Sequence, residues 1–310
     1  MKVLVTGGAG FIGSHLMRCL VENGHEAVAV DDLSCGQREN LLPDMDLIEE
    51  NILSDKFAGI VASGGYDSIV HLAAQTMVST SMDDPLLDAR QNILGTISVL
   101  EAARRAGVGR VIFASTAASY GDVPEKDLPV KESHKQAPMS FYGLSKTTVE
   151  QYLDVYHQAF GIDYVVLRFA NVYGERQGNG GEGGVISIFC NAIANGKDIT
   201  IFGDGEQTRD FVYAGDIARG ILAALKAPKK AANVAYNLST QTETSLRELV
   251  SVLCNVSGRK IIPKYGPERA GDIYKSMLSN GRARRGLGWA PVTSLEQGLK
   301  ATYEYFKSQK

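Results

Sequence analysis

The chain has little with which to build a metal centre or a disulfide framework. Its four cysteines, Cys19, Cys35, Cys190 and Cys254, are scattered through 310 residues with no Cys-x-x-Cys, so they read as reduced packing residues. Five histidines occur and none form a His-x-x-x-His pair, so no metal is expected. Charge of one sign is missing too. The formal net charge is −3 with no Lys/Arg cluster, which argues against a nucleic-acid partner. No apolar run approaches the ~20 residues of a membrane span. The chain opens directly into strand-like Lys2-Val3-Leu4-Val5, leaving no room for a secretory leader. A cytoplasmic protein without a membrane partner is therefore expected. The 44% hydrophobic and 22% charged content fits an ordinary globular protein. The length suits one large domain or a main domain with a smaller lobe.

What is present begins at the N-terminus. Val3-Leu4-Val5-Thr6 enters Gly7-Gly8-Ala9-Gly10-Phe11-Ile12-Gly13, and a helical pattern follows from about Ser14 through Leu16, Leu20 and Val21. Gly8, Gly10 and Gly13 fit G-x-G-x-x-G, while Gly7, Gly10 and Gly13 fit G-x-x-G-x-x-G. Such glycines permit a tight turn and let the backbone approach a pyrophosphate, which the helix N-terminus then stabilises. Their place between a strand and a helix is the context a dinucleotide site requires. The next strand, residues 26–30, ends at Asp31-Asp32. Asp31 stands near the ~20-residue offset at which an acid hydrogen-bonds a ribose hydroxyl. Its carboxylate would repel a 2′-phosphate, so NAD is favoured over NADP, with Arg38 as a counter-signal.

Residues 68–74, 110–115 and 165–168 read as further buried strands, separated by helical patterns, notably 92–106 and 145–160. Alternating units predict an α/β fold with a Rossmann-like doubly wound parallel sheet, its ligand lying outside the carboxyl ends of the strands. The second chemical signal is Tyr142-Gly143-Leu144-Ser145-Lys146. Residues four apart share a helix face, so Lys146 is expected beside Tyr142. A cation there would favour the phenolate and lower a pKa ordinarily near ~10, which suits a general base. The same spacing also arises on ordinary exposed helices; the glycine motif is what lifts it above that.

Further segments extend the pattern: Leu33-Ser34 after the acids, His71-Leu72-Ala73-Ala74-Gln75, Asn92, Ser115-Thr116-Ala117-Ala118-Ser119-Tyr120-Gly121 and Arg168-Phe169-Ala170-Asn171-Val172-Tyr173-Gly174. Residues 203–212, Arg269-Ala270-Gly271-Asp272 and Leu287-Gly288-Trp289 complete it. In this order they resemble the extended short-chain dehydrogenase/reductase superfamily and, within it, the NAD-dependent sugar-nucleotide epimerases and dehydratases, with the UDP-glucose 4-epimerase group nearest. The resemblance implies Thr116, Tyr142 and Lys146 as the catalytic set. It implies NAD held by Gly7, Gly10, Phe11, Ile12, Gly13, Asp31, Asp32, Leu33, Ser34, Asn51, Ile52, Leu72, Ala73, Ala74, Gln75, Asn92 and Phe169, together with Tyr142 and Lys146. Asn51-Ile52 departs from the Asp-Ile pair usual near the adenine, and the amide is expected to keep a contact of altered strength. The UDP-sugar would touch Thr116, Tyr142, Asn171, Val185, Thr200, Phe202, Arg209, Arg269, Asp272 and Ser276, with the arginines as pyrophosphate anchors.

The resemblance also sorts reaction types. Dehydratases of the superfamily carry an acid after the threonine, because loss of water needs a proton donor and acceptor; here Ala117 and Ala118 follow Thr116. What remains implied is 4-epimerisation by transient oxidation at the sugar C4, with tightly held NAD. UDP-glucuronate 4-epimerase shares these residues and stays open, as do a reductase that releases NADH and an NAD-sensing binding protein without chemistry. Ser276 stands where a bulky residue would exclude an N-acetyl group, so UDP-N-acetylhexosamines are expected as substrates too; Tyr274 is the alternative wall. The Gly-rich residues 178–184 are expected to order over the sugar nucleotide. Residues 1–171, with 211–238 returning, are expected to form the NAD-binding domain, and 172–210 with 239–310 the substrate lobe. A homodimer through a four-helix bundle of residues 92–106 and 145–160 is implied by the resemblance only.

Overall fold

A computed structural model describes residues 1–178, 184–268 and 273–309. The first half contains β1 (Lys2–Thr6), α1 (Phe11–Glu22), β2 (Glu26–Asp31), β3 (Asp46–Glu49), α2 (Phe57–Gly64) and β4 (Ser68–His71). It continues with α3 (Val78–Asp83), α4 (Pro85–Asp88), α5 (Gly95–Ala106), β5 (Arg110–Thr116), α6 (Phe141–Phe160) and β6 (Asp163–Phe169). Then come β7 (Asn171–Tyr173), α7 (Val185–Ala194), β8 (Thr200–Phe202), β9 (Thr208–Arg209), β10 (Phe211–Tyr213) and α8 (Ala214–Lys226). The last elements are β11 (Val234–Leu238), β12 (Thr244–Ser245), α9 (Leu246–Ser257), β13 (Lys264–Gly266), α10 (Gly281–Leu287) and α11 (Leu295–Ser308).

Seven parallel strands form one sheet in the order β11-β6-β5-β4-β1-β2-β3. Helices cover both faces. Val3, Val5, Leu16, Met17, Ile217 and Ile221 pack on the side of α1 and α8. Leu4, Ile69, Val61, Leu100, Val149 and Leu153 pack on the side of α2, α5 and α6. That double covering is why the strands read as near-continuous apolar runs. The expected Rossmann-like sheet is therefore present, and strand order reverses between β1 and β4, opening a crevice at their carboxyl ends. A third core, with Ile186, Phe189, Leu249, Leu253, Leu299 and Phe306, joins α7, α9 and α11 into a smaller layer.

Three helix starts differ from the sequence pattern. Extended Gly10 is the N-cap of α1, so the helix begins at Phe11 rather than near Ser14. The Ser140 hydroxyl accepts the Gly143 N–H, so α6 begins at Phe141 and Tyr142 sits in its first turn. A wider-turned π-helical stretch, Ala89–Leu94, precedes α5. β11 joins the main sheet beside β6, whereas β10 pairs with β7 outside it. Among the described residues no helix is long and apolar enough to cross a membrane.

Candidate active site

The glycine turn is shaped so that no side chain fits. A Cβ on Gly7, whose φ is 70°, would lie 2.7 Å from the Ala73 nitrogen, and one on Gly13 would lie 2.1 Å from the Gly7 carbonyl oxygen. Ser14 N–H bonds to the Gly10 carbonyl, so Phe11, Ile12 and Gly13 fill the first turn, whose N–H groups lack intrahelical partners. The turn is braced at Ala9: its N–H donates to Asp31 Oδ2 at 3.0 Å, and its carbonyl accepts from Asn40 Nδ2 at 2.8 Å. Asp31 Oδ1 accepts the Leu33 N–H at 3.0 Å. Burial pushes the Asp31 carboxyl up, and those backbone bonds pull it back. Asp32 accepts from Ser34 N–H and Oγ and, at 2.6 Å, from Asn51 Nδ2. A cradle that a Cβ would fill, free N–H groups and an acid at the end of β2 fit a dinucleotide diphosphate and its ribose.

Two sequence expectations are refined here. Asn51 Oδ1 also accepts the Leu53 N–H at 2.8 Å, so its second lone pair is what remains for an adenine. Arg38 donates to the Met45 and Pro43 carbonyls, which ties the counter-signal for a 2′-phosphate into a loop.

Thr116 ends β5, and its hydroxyl lies beside Tyr142 and accepts the Ala118 N–H at 3.1 Å. Lys146 Nζ donates to the Ala114 carbonyl at 3.0 Å, 4.8 Å from the Phe113 ring centroid and 6.0 Å from that of Tyr142. The three residues thus meet at the carboxyl end of β5. The lowered tyrosine pKa expected from helix spacing does not hold in the protein alone. Burial pushes Tyr142 up to about 12, against the pull of the Thr116 hydrogen bond, and pushes Lys146 down to about 8. Helix spacing reports proximity but not the loss of water around both groups, and that loss outweighs their mutual field.

Asn92 lies in the π-helical stretch, a feature frequent at functional sites. Its buried amide accepts the Gln75 N–H at 2.9 Å and donates to the Gln75 carbonyl, Asp88 Oδ1 and, at 3.1 Å, Ser145 Oγ. It braces the segment after β4, which holds Leu72, Ala73, Ala74 and Gln75, against α6. Ile52 is buried below, and its carbonyl accepts from Ser98 Oγ at 2.6 Å.

The substrate-facing candidates come from separate elements. Asn171 opens β7, Thr200 and Phe202 bound β8, Val185 opens α7, and Arg209 ends β9 with Nη1 donating to the Thr208 carbonyl at 2.8 Å, while Phe169, a cofactor candidate, is buried at the end of β6. Ser276 precedes Leu278, which bridges Val130 of the segment leading to α6. Tyr274, the alternative wall, directs its hydroxyl to Asp204 Oδ2 at 3.0 Å. Arg269, Asp272 and most of the Gly-rich stretch, residues 179–183, lie outside the described residues.

Two organising carboxylates carried no role in the sequence reading. Buried Asp210 accepts from Thr240 N–H at 2.8 Å, Thr240 Oγ1 at 2.7 Å, Gln241 N–H at 3.0 Å and Leu278 N–H at 3.3 Å. Its carbonyl takes the Asn171 N–H at 2.9 Å. Burial pushes this acid up to about 6, against those hydrogen bonds. Glu150, one turn beyond Lys146, receives Arg168 Nε at 3.0 Å and Nη2 at 2.5 Å, and Ser115 Oγ at 2.5 Å. It thereby ties the helix of Tyr142 to the strand of Thr116. The i+4 step from Lys146 was the available signal. Among the described residues no group of His, Cys, Asp and Glu is placed to hold a metal.

The sequence pattern described as the NAD dependent epimerase/dehydratase family matches residues 3–239. UDP-glucose 4-epimerase of Mycolicibacterium smegmatis is 39% identical, with 100% of this chain and 99% of that protein covered. The crystal structure of UDP-glucose 4-epimerase with UDP-glucose from Thermotoga maritima superposes with a TM-score of 0.95 at 40% identity, covering 100% of this chain and 99% of that one. UDP-N-acetylglucosamine 4-epimerase from Methanobrevibacter ruminantium, in complex with UDP-N-acetylmuramic acid, gives 0.94 at 33% identity, covering 100% and 99%.

Proposed function

The chain belongs to the NAD dependent epimerase/dehydratase family, and from that premise we propose that it interconverts UDP-glucose and UDP-galactose at C4 and also accepts UDP-N-acetylhexosamines. It is an NAD-dependent nucleotide-sugar epimerase. The observation that carries the 4-epimerase reading is the meeting of Thr116, Tyr142 and Lys146 at the carboxyl end of β5, followed by Ala117 and Ala118 where loss of water would need an acid.

The glycine turn, Asp31, Asp32 and the segment after β4 would hold NAD, which would supply reversible hydride acceptance at the sugar C4 and a positive charge favouring the Tyr142 phenolate. Tyr142 takes the proton from the sugar O4 and later gives it back. The Thr116 hydroxyl, beside Tyr142, would hydrogen-bond that same oxygen. Lys146, anchored on the Ala114 carbonyl, places a cation beside the pair and would hold the nicotinamide ribose. The buried Glu150–Arg168 pair fixes α6 against β5 and β6, so the distance between hydroxyl and phenol is set before substrate arrives. Arg209 with Arg269 would receive the substrate diphosphate, and Asn171, Val185, Thr200, Phe202 and Asp272 would line the nucleotide.

The division into a cofactor domain of residues 1–171 with 211–238 and a substrate lobe of 172–210 with 239–310 is part of this proposal, as is a cytoplasmic setting. So is a homodimer through a four-helix bundle. Leu144, Tyr152, Val155 and Phe160 are exposed along α6, and Leu86 and Leu94 are exposed just before α5, an apolar surface a second copy would cover.

The test uses the purified protein with UDP-galactose and no added cofactor, following UDP-glucose by chromatography. Conversion supports 4-epimerisation with retained NAD. Conversion of UDP-glucuronate alone would replace the substrate assignment. Ser276→Tyr should abolish activity on UDP-N-acetylgalactosamine while sparing UDP-galactose, and equal loss of both would remove Ser276 from the sugar wall.

A further inference from the structure

Three unfavourable features meet where the second half of the chain crosses α1. After Gly174, the backbone passes through Arg176 at φ 65°, a left-handed conformation costly for any residue but glycine. The Arg176 side chain is half-buried, and its Nε donates to Ser14 Oγ at 2.8 Å. A cation is thereby placed beside the first turns of α1, where the helix dipole already contributes positive charge. Arg18, bonded to the Ser14 and Asn40 carbonyls, adds a like charge.

The neighbouring contacts fasten the same crossing. His15 Nε2 bonds to the Glu175 carbonyl at 3.0 Å, and Tyr213 Oη donates to both Glu175 carboxylate oxygens, at 2.9 and 2.8 Å. The His15 ring packs edge-on against Phe11 at 5.8 Å and Tyr213 at 6.0 Å. A Cβ on Gly174 would lie 3.5 Å from both His15 and Phe11, so the strap rests on the residue that opens α1. Strain and like charge persist at a site when something offsets them. Glu175 and Glu22 offset part of the like charge, and an anion at the N-terminus of α1 would offset more.

We propose that the strap of Glu175 and Arg176 is a cofactor-retention element that pins the first two turns of α1 and adds positive charge for the diphosphate of NAD. Arg176 is a positioning residue here, acting through Ser14 and through its charge. The inference rests on the reading of the glycine turn as the NAD site.

The experiment follows the rate at which NAD leaves the purified holoenzyme after dilution, for wild type, Arg176→Ala and Arg176→Gly, beside the melting temperatures of the NAD-stripped proteins. Glycine removes the guanidinium and also relieves the left-handed strain. Both variants are expected to release NAD about tenfold faster, the effect of losing one charge-assisted hydrogen bond, while stripped Arg176→Gly melts no lower than wild type. Release at the wild-type rate in both variants overturns the proposal. So does faster release accompanied by a lower melting temperature in both, which would make the strap a general packing contact. No sugar nucleotide is present, so failure here is separable from failure of the substrate assignment, which the conversion assay decides.

Discussion

The proposed cofactor side of the site centres on a backbone turn, and the proposed substrate side on side chains. Residues 7–13 are contiguous, sit between β1 and α1, and are glycine where a Cβ would strike the Ala73 nitrogen or the Gly7 carbonyl. The facing candidates, Asn171, Thr200, Phe202, Arg209 and Ser276, come from β7, β8, β9 and a late loop. Asp210 ties several of them together: its carbonyl holds Asn171, its carboxylate holds the loops at Thr240 and Leu278, and Arg209 precedes it in the chain. A backbone-made site leaves its mark as glycine spacing. A site made of side chains depends on partners brought together by the fold, and fewer of its parts announce themselves in sequence.

The largest test lies on the seam between the two. Tyr142→Phe should lower kcat by about 10²–10⁴ while NAD stays bound, as measured by NAD recovered from the purified protein; loss of NAD as well would erase the distinction between the halves. Gly13→Ala comes next. Its Cβ would meet the Gly7 carbonyl at 2.1 Å, so overpacking of about 1–3 kcal/mol should fall on NAD occupancy and melting temperature together. Asp210→Asn should spare NAD retention yet raise KM for the UDP-sugar, since the buried hub loses an ionised acceptor worth ~1.5–3 kcal/mol for such bonds. An unchanged KM would show that the substrate side does not hang on Asp210.

The smallest effect is in stability. The Lys146 ammonium is held at about 8 by burial, against ~10.4 in an unfolded chain. Between those values the unfolded chain binds more protons, so this group's contribution to stability rises with pH and is lost as pH falls through 8. Lys146→Met should therefore melt higher than wild type at pH 7, with a gain that shrinks towards pH 10. Calorimetry at the two pH values checks the sign.

The parallel sheet, the glycine turn and the Thr116, Tyr142 and Lys146 positions were legible because each is local: an apolar run, a fixed spacing, a strand end. The start of α6 was not, because it depends on the Ser140 cap rather than on apolar periodicity. The upward push that burial gives the Tyr142 phenol was not legible for a related reason, since a helix face specifies who is near whom but not how much water is excluded. Asp210 and Glu150 stood inside or beside recognised motifs, yet their roles are defined by Leu278, Arg168 and Ser115, far away in the chain. Asn92, which the resemblance assigns to the cofactor, has its buried amide bonded to Gln75 and Ser145.

The most direct measurement is conversion of UDP-galactose in D₂O by the purified protein, reading the hydrogen at C4 of the UDP-glucose by NMR. The account predicts protium at C4, because the hydrogen removed there is returned without exchange with solvent. Deuterium at C4 would contradict it and point to proton abstraction at carbon rather than transient oxidation.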